Sequence, residues 1–182
     1  RRMRAANAPL ASRNKGDEMG YEVFAVSVGN GHLALAPVPG AEGDLQADVD
    51  AIAQWGATLV VSATETEEMQ TFGAEALPGA LRDAAICWVH FSIRDFGVPE
   101  DDMQAQWAGV SEQVGQQLRA GGRVLVHCRG GCGRSGMLML RLMIETGMAA
   151  EEALQRLRAV RSCAVETDAQ MVWATDGVLT QA

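Results

Sequence analysis

The sequence predicts a single α/β domain with a central, mostly parallel sheet that is flanked by helices on both sides. After a glycine-centred hairpin, short apolar segments alternate with segments of helical period, which is the order of a parallel sheet with crossover helices. The apolar segment at 124–126 runs directly into a glycine loop and then a helix, an order that places a site at the carboxyl end of a strand. The length of 182 residues and the 48% hydrophobic content suit one domain with one core.

The first half of the chain predicts a hairpin, a helix and a strand. Apolar residues alternate over 21–28 and 33–36 on both sides of Gly29-Asn30-Gly31, which predicts the hairpin. Asp44 can cap a helix whose apolar residues recur with helical period. The next segment, 58–62, is apolar and rich in β-branched residues, as is typical of a strand buried on both faces.

The second half continues the alternation of helices and strands. A stripe of apolar residues at spacings of three and four predicts one long helix ahead of the glycine loop. The elements are expected in this order: helical turns at 65–72 and 78–84, a strand at 86–91, a helix at 101–119, the strand before the loop, and helices at 136–146, 151–160 and after Thr167 or Asp168.

The charge and the termini limit the possible partners. A net charge of −8 argues against nucleic acid or an anionic membrane surface as a general partner, because both would repel the protein. The apolar helix after the glycine loop is broken by Arg141, so no membrane span is expected. Residues 1–20 are rich in arginine without an apolar run, and we assign them to a flexible tail or a non-native extension, with the domain at 21–182.

Cysteine and lysine usage predict the compartment and the source. The cysteines show neither the spacing of a zinc site nor the density of a disulfide scaffold, which favours a reducing compartment and a cytoplasmic location. Alanine and arginine are abundant and Lys15 is the only lysine, which indicates a GC-rich bacterial genome. The four cysteines are Cys87, Cys128, Cys132 and Cys163.

The segment 127–136, His-Cys-Arg-Gly-Gly-Cys-Gly-Arg-Ser-Gly, has the composition of an anion site. Glycines at 130, 131 and 133 permit tight turns in which successive backbone N–H groups face one anion. Arg134 adds a planar fork of donors that fits two phosphate oxygens. Ser135 is expected to cap a helix that starts at about Gly136, whose positive end points at the same anion.

Cys128 stands at the mouth of this positive pocket, where the thiolate is favoured over the thiol. A thiolate that faces a bound phosphate is a nucleophile in place. The alternative interpretation is a buried, inert cysteine beside an ordinary glycine turn. The combined pattern of His127-Cys128, five residues, Arg134 and Ser135 favours the catalytic interpretation.

This pattern resembles the signature loop of the Cys-dependent protein phosphatases. The resemblance implies that Cys128 forms a cysteinyl-phosphate, that Ser135 donates to its sulfur and that His127 orders the loop. It also implies that no metal or cofactor is required. The residues implied to bind phosphate are Arg129, Gly130, Gly131, Cys132, Gly133 and Arg134.

A loop about thirty residues ahead of Cys128 offers the proton donor that a leaving oxygen requires. Asp95-x-Gly97-x-Pro99 is similar to the acid-bearing loop of the compact dual-specificity phosphatases, and most like the group that contains the cyclin-dependent-kinase-associated phosphatase. The alternative is that Asp95 only caps a turn. Two other aspartates, Asp101 and Asp102, fit the first turn of a helix better.

A weaker likeness to the same group continues over 164–170. A glutamine in this segment can hold the region or the attacking water, so Gln170 is a further candidate, with simple surface exposure as the alternative. The resemblance in outline covers about 21–182.

The function expected is a phosphatase for phosphotyrosine proteins, with phosphoserine and phosphothreonine as further substrates. A phosphoinositide or other phosphometabolite phosphatase is the first alternative, because Arg129 adds a basic residue inside the loop, although position 132 is Cys and not a second basic residue. A non-catalytic phosphate-binding module and a sulfurtransferase are further alternatives. The oligomeric state stays open. Cys132 or Cys87 is a candidate partner that traps oxidised Cys128 as a disulfide.

Overall fold

The computed structural model describes residues 20–176, so most of the predicted tail, residues 1–19, and the end of the chain, residues 177–182, lie outside the described part. The predicted hairpin is present. Strand β1 (Phe24–Val28) pairs antiparallel with β2 (Gly31–Ala36), and Phe24 lies opposite Leu35. The hairpin forms one edge of the sheet.

Three further strands complete a five-stranded sheet in the order β1-β2-β5-β3-β4. They are β3 (Leu59–Ser62), β4 (Cys87–His90) and β5 (Arg123–His127). All pairs among β2 to β5 are parallel, and β1 alone is antiparallel. The prediction of a single α/β domain with a mostly parallel sheet is therefore confirmed.

Helices cover both faces of the sheet, which explains why the central strands are apolar throughout. In β5, Val124 and Val126 belong to one core and Leu125 to the other. The first core packs against α4 (Asp101–Arg119), α5 (Gly133–Glu145), α6 (Ala150–Val160) and α7 (Asp168–Asp176), and the second packs against α1 (Leu45–Trp55), α2 (Thr66–Thr71) and α3 (Leu77–Asp83).

Helix ends follow the local chemistry of the sequence. The Asp44 carboxylate accepts a hydrogen bond from the Ala47 N–H at 2.9 Å, as the capping prediction requires. Gly56 ends α1 in the left-handed conformation, with φ of 89°. None of the helices in residues 20–176 combines the length and the apolar character needed to cross a membrane.

The carboxyl ends of the four parallel strands are level, and this sets the position of the site. Ala36 of β2 and Ser62 of β3 both lie opposite His127 of β5, and His90 of β4 lies opposite Ser62. The loops that follow these strands therefore meet at one edge of the sheet. They carry the residues described next.

Candidate active site

The loop after β5 is shorter than expected. Helix α5 begins at Gly133 with Cys132 at the N-cap position, not at Gly136. Ser135 therefore lies in the first helical turn and is not the cap, which corrects the capping prediction. Its hydroxyl lies 3.2 Å from the Cys128 sulfur, so the side chain contacts the thiol and no backbone N–H. This contact agrees with the role that the family resemblance gives to Ser135.

The backbone carbonyl groups of the loop accept hydrogen bonds from neighbouring segments of the chain. Among the described residues, the backbone N–H groups of 129–134 have no protein acceptor. A trans peptide unit carries its C=O and N–H on opposite sides, so carbonyls held outward leave N–H groups for an anion. The carbonyl pairs are Arg129 with the Val38 N–H at 3.0 Å, Gly130 and Gly131 with the Arg161 guanidinium at 3.0 and 3.2 Å, and Cys132 with the Val165 N–H at 3.2 Å.

Gly131 is required by the close packing of this loop on the end of β2. Its φ is 69°, a value that favours glycine. A Cβ at this position would lie 2.5 Å from the carbonyl carbon of Ala36 and 2.7 Å from the nitrogen of Pro37. Both are backbone atoms, so no side-chain movement would make room.

Arg134 is held in a fixed orientation by helix α2 and by the loop after β4, which lie at the same edge of the sheet. Its side chain is only 1% exposed, and both terminal nitrogens donate to the Glu68 carboxylate, at 2.7 and 2.8 Å. One of them also donates to the Ile93 carbonyl at 2.9 Å. Such a fork–fork pair fixes the plane of the guanidinium.

The pair shifts both pKa values. Burial alone would lower the pKa of Arg134, but the hydrogen bonds to Glu68 and nearby negative charge outweigh it and raise that pKa. Burial alone would raise the pKa of Glu68, but the hydrogen bonds from Arg134 and from the Glu65 N–H lower it. Sequence reasoning missed Glu68. The available signal was its position in α2, the element that follows β3, because β3 is a neighbour of β5.

Asp95 lies above the same guanidinium. One carboxylate oxygen is 3.1 Å from the second terminal nitrogen of Arg134, and the other is 3.8 Å from the Arg129 guanidinium. Arg129 also stacks over the Phe72 ring at 5.1 Å. Asp95 is thus brought to the loop, whereas Asp101 and Asp102 lie in the first turn of α4 and line a separate groove.

A pocket of about 200 Å³ joins these groups. It contains Cys128, which is buried and free, together with the guanidinium and carboxylate groups described above. Glu166 also lines it, and sequence reasoning missed this second carboxylate. The complete lining is Asp95, Phe96, Cys128, Arg129, Gly130, Gly133, Arg134, Glu166 and Gln170.

Gln170 connects the segment 166–170 with the loop that carries Asp95. Its side-chain oxygen accepts from the N–H groups of Glu166 and Thr167, at 3.0 and 3.2 Å. Its side-chain nitrogen donates to the Gly97 carbonyl at 3.2 Å. The residue is fully buried, so the alternative of surface exposure is wrong.

A hydrogen-bonded chain beneath the loop fixes the tautomer of His127. The Trp88 indole can only donate, and it donates to the Ser62 hydroxyl at 2.8 Å. The Cys128 carbonyl can only accept, so Nδ1–H of His127 donates to it at 3.3 Å. Nε2 of the neutral ring then accepts from the Ser62 hydroxyl at 2.6 Å. Burial is the main cause that lowers the pKa of His127 to about 4. The ring is neutral near pH 7, and its two hydrogen bonds connect the start of the loop with β3.

Cys132 is bonded to Cys163 in a disulfide, which the sequence interpretation did not anticipate. Low cysteine density argues against a disulfide scaffold but does not exclude one bond between residues that the fold brings together. Neither Cys132 nor Cys87 is bonded to Cys128, and Cys87 is an exposed free thiol on β4. The Cys132 sulfur is directed to Cys163, so a trap for oxidised Cys128 at this residue would first require the existing bond to open.

Comparison with known proteins identifies the class. The pattern of the dual specificity phosphatase catalytic domain matches residues 44–175, a range that includes the loop at 127–135, Asp95 and Gln170. The match covers more than half of the chain, and the chain therefore belongs to the dual specificity phosphatase catalytic-domain family. Membership of this family supports phosphatase activity.

Curated relatives point in the same direction. The chain is 32% identical over 104 residues to the mouse protein tyrosine phosphatase domain-containing protein 1 and 31% identical over 104 residues to its bovine counterpart. The match covers 57% of this chain but only 13% of the mouse protein's length. These relatives and a zebrafish one are vertebrate, so the predicted bacterial origin is wrong. Amino-acid composition reflects codon bias and does not establish descent.

Solved structures confirm the fold. Kinase associated phosphatase, with its catalytic-site cysteine replaced by serine, superposes with a TM-score of 0.79 at 21% identity and covers 88% of this chain and 95% of its own. Tk-PTP in the active form gives 0.65 at 28% identity, over 81% and 91% of the two chains. PTPMT1 in complex with PI(5)P gives 0.68 at 16% identity, over 87% and 99%.

We predict that His127 makes the free energy of unfolding depend on pH. Its pKa is about 4 in the folded protein and 6.5 ordinarily. The unfolded chain therefore takes up the proton first, so the stabilisation is complete above pH 6.5 and is lost as the pH falls towards 4. When the pH is lowered from about 7 to about 5, the free energy of unfolding measured with urea should fall by about 2 kcal/mol more in the wild type than in His127→Asn. Equal losses would contradict the assignment.

Proposed function

We propose that this site hydrolyses phosphate monoesters through a cysteinyl-phosphate intermediate. One observation carries the proposal: a buried free thiol, a fixed guanidinium and a carboxyl group line one small pocket, beside a loop whose N–H groups have no acceptor within residues 20–176. Each group has a separate task in phosphoryl transfer to sulfur. Cys128 is the nucleophile, Arg134 binds the phosphoryl oxygens and Asp95 transfers the proton.

In the first step, the Cys128 thiolate attacks phosphorus while the ester oxygen leaves on the opposite side. Arg134 and the N–H groups of 129–134 bind the equatorial oxygens, whose charge distribution changes in the transition state. A phosphoryl oxygen competes with Asp95 for the Arg134 nitrogen, which releases the carboxyl group towards the leaving oxygen. The carboxyl group then donates its proton to the leaving oxygen.

In the second step, water attacks the phosphorus of the cysteinyl-phosphate and Asp95 takes its proton. The Ser135 hydroxyl, at 3.2 Å from the sulfur, donates to the departing thiolate. Gln170 keeps the Asp95 loop in place through the Gly97 carbonyl. It acts on the reaction through that loop, as a positioning residue.

A phosphoprotein is the substrate that the site favours, with phosphotyrosine first and phosphoserine and phosphothreonine after it. Phe96 is 61% exposed beside Asp95 at the pocket, where an aromatic ring offers an apolar surface to a phosphorylated side chain. The carboxylates of Asp95 and Glu166 oppose additional phosphate groups near the reacting one. These charges disfavour a multiply phosphorylated inositol ring.

A phosphoinositide substrate is the second candidate, on account of Arg129. Its guanidinium lines the pocket and is 59% exposed in the side chain, so it can meet a second phosphate. Its present contacts are the Asp95 carboxylate and the Phe72 ring. The likeness to PTPMT1 bound to PI(5)P is at 16% identity and speaks for the fold alone.

Within the family, we place the chain with the compact enzymes of the cyclin-dependent-kinase-associated group. The support is the Asp95-x-Gly97-x-Pro99 spacing together with the shared fold of kinase associated phosphatase.

Replacing the nucleophile tests the mechanism. Cys128→Ser should abolish hydrolysis of a small aryl phosphate while the affinity for inorganic phosphate stays within about threefold of wild type, because the loop is unchanged. Steady-state kinetics and calorimetry measure the two effects. Cys87→Ser, which changes an exposed thiol outside the pocket, serves as the control and should remain active. Hydrolysis retained by Cys128→Ser would rule out the covalent route.

The proton-transfer role is tested with Asp95→Asn and a series of aryl phosphates. Loss of the general acid should lower kcat about a hundredfold or more for poor leaving groups, because their oxygen must be protonated. The loss should shrink for good leaving groups, which depart as anions. A loss that is uniform over the series would move the acid to another residue, with Asp101→Asn and Asp102→Asn as the next variants.

The two substrate classes are separated with Arg129→Ala. For a phosphotyrosine peptide, kcat/KM should change by less than about fivefold, since exposed ion pairs contribute little. A phosphoinositide substrate would lose far more. The matched control is Arg94→Ala, because Arg94 pairs with Glu100 at 3.2 Å outside the pocket. If only phosphoinositide hydrolysis is found and Arg129→Ala removes it, the phosphoprotein proposal is wrong.

A further inference from the structure

The loop at 128–134, which we call the phosphate loop, contains a second sulfur atom that the proposed mechanism does not use. Cys132 is bonded to Cys163, which lies 31 residues later, with 5.3 Å between their Cα atoms. Cys163 is exposed and Cys132 is partly exposed, so a small thiol reagent can reach the bond. The nucleophile Cys128 is buried and remains a free thiol. The state of the pair can therefore change independently of the nucleophile.

The segment 161–165 sets the orientation of three successive peptide units in the loop. Arg161 donates to the carbonyls of Gly130 and Gly131, and the Val165 N–H donates to the carbonyl of Cys132. Holding these carbonyls outward turns the N–H groups of residues 131–133 to the opposite side. These are donors that a bound phosphate needs.

The same segment contains backbone strain. Val165 has a φ of 67°, which is unusual for a β-branched residue and persists only where the surroundings enforce it. Its own N–H is the group that holds the Cys132 carbonyl. The disulfide is the only covalent link between the described parts of this segment and the loop, apart from the chain itself. Opening it lets Val165 relax and frees the Cys132 carbonyl.

We propose that the Cys132–Cys163 pair is a redox-modification site that sets the affinity of the phosphate loop for phosphate. The disulfide form keeps the loop ordered for binding, and a dithiol weakens binding. In that reaction the dithiol supplies two electrons and two protons, the protein gains two thiols, and the reagent becomes a cyclic disulfide. Exchange with glutathione disulfide re-forms the bond and releases two glutathione thiols.

The proposal rests on the proposed function, because it takes the loop to be the phosphate-binding element. Binding is therefore measured without turnover, in the Cys128→Ser variant of the 182-residue chain, with inorganic phosphate as the probe. Calorimetry compares this protein before and after dithiothreitol, and peptide mass spectrometry verifies the state of Cys132 and Cys163. The dissociation constant should rise about tenfold on reduction. A tenfold change corresponds to about the free-energy cost of ordering the backbone of one residue again when phosphate binds.

Matched variants separate the pair from other thiols. Cys163→Ser in the same background should bind phosphate weakly both before and after dithiothreitol. Cys87→Ser should keep the redox response, because Cys87 is exposed and unbonded. Adding glutathione disulfide to the reduced Cys87→Ser protein should restore tight binding.

The outcomes distinguish the two proposals. Equal phosphate affinity of the oxidised and reduced proteins, with the bond verified in one and absent in the other, overturns the redox site and leaves the phosphatase proposal standing. Absence of phosphate binding in both states contradicts the proposed function itself. A response that persists in Cys163→Ser also overturns the assignment of the pair. Circular dichroism of each sample verifies that the protein is folded.

Discussion

The arrangement of the site depends on the buried ion pair between Arg134 and Glu68. A guanidinium that is 1% exposed requires a partner, and removing one member of such a pair typically costs about 3–5 kcal/mol because the other charge stays buried. Glu68 follows β3, the Ile93 carbonyl follows β4 and Arg134 follows β5. One side chain thus joins the segments that follow three neighbouring strands, and the level ends of the parallel strands make this possible.

Cys128 is contacted by neutral groups on the sheet side and faces charged groups in the pocket. His127 is kept neutral by its burial. It donates a hydrogen bond to the Cys128 carbonyl and accepts one from the Ser62 hydroxyl, which Trp88 orients. A charged imidazolium at this depth would require a counter-ion that the chain of hydrogen bonds does not offer. Ser135 contacts the sulfur from the helix side. The thiol therefore lies between two fixed polar groups, and its position follows from theirs.

Sequence patterns predicted the parts of the site that are local in the chain. The hairpin, the apolar strands and the Asp95 turn each depend on neighbouring residues and are found where they were expected, and the glycine loop follows β5 as predicted but ends three residues earlier. Glu68, the burial of Gln170 and the Cys132–Cys163 bond depend on which loops the strand order brings together, and spacing alone does not encode that order. Ser135 was misplaced for a local reason, since the helix accepts Gly133 and Arg134 in its first turn.

The positive and negative side chains that line the pocket balance each other. Arg129 and Arg134 line the pocket with the carboxylates of Asp95 and Glu166, so its side chains alone provide no excess of positive charge. Attraction for a phosphate dianion must then come mainly from the backbone N–H groups and the start of α5. Backbone donors act together only when successive peptide units share one orientation. Arg161 and Val165 hold that orientation. These contacts are the physical basis for the proposed dependence of phosphate affinity on the segment that contains Cys163.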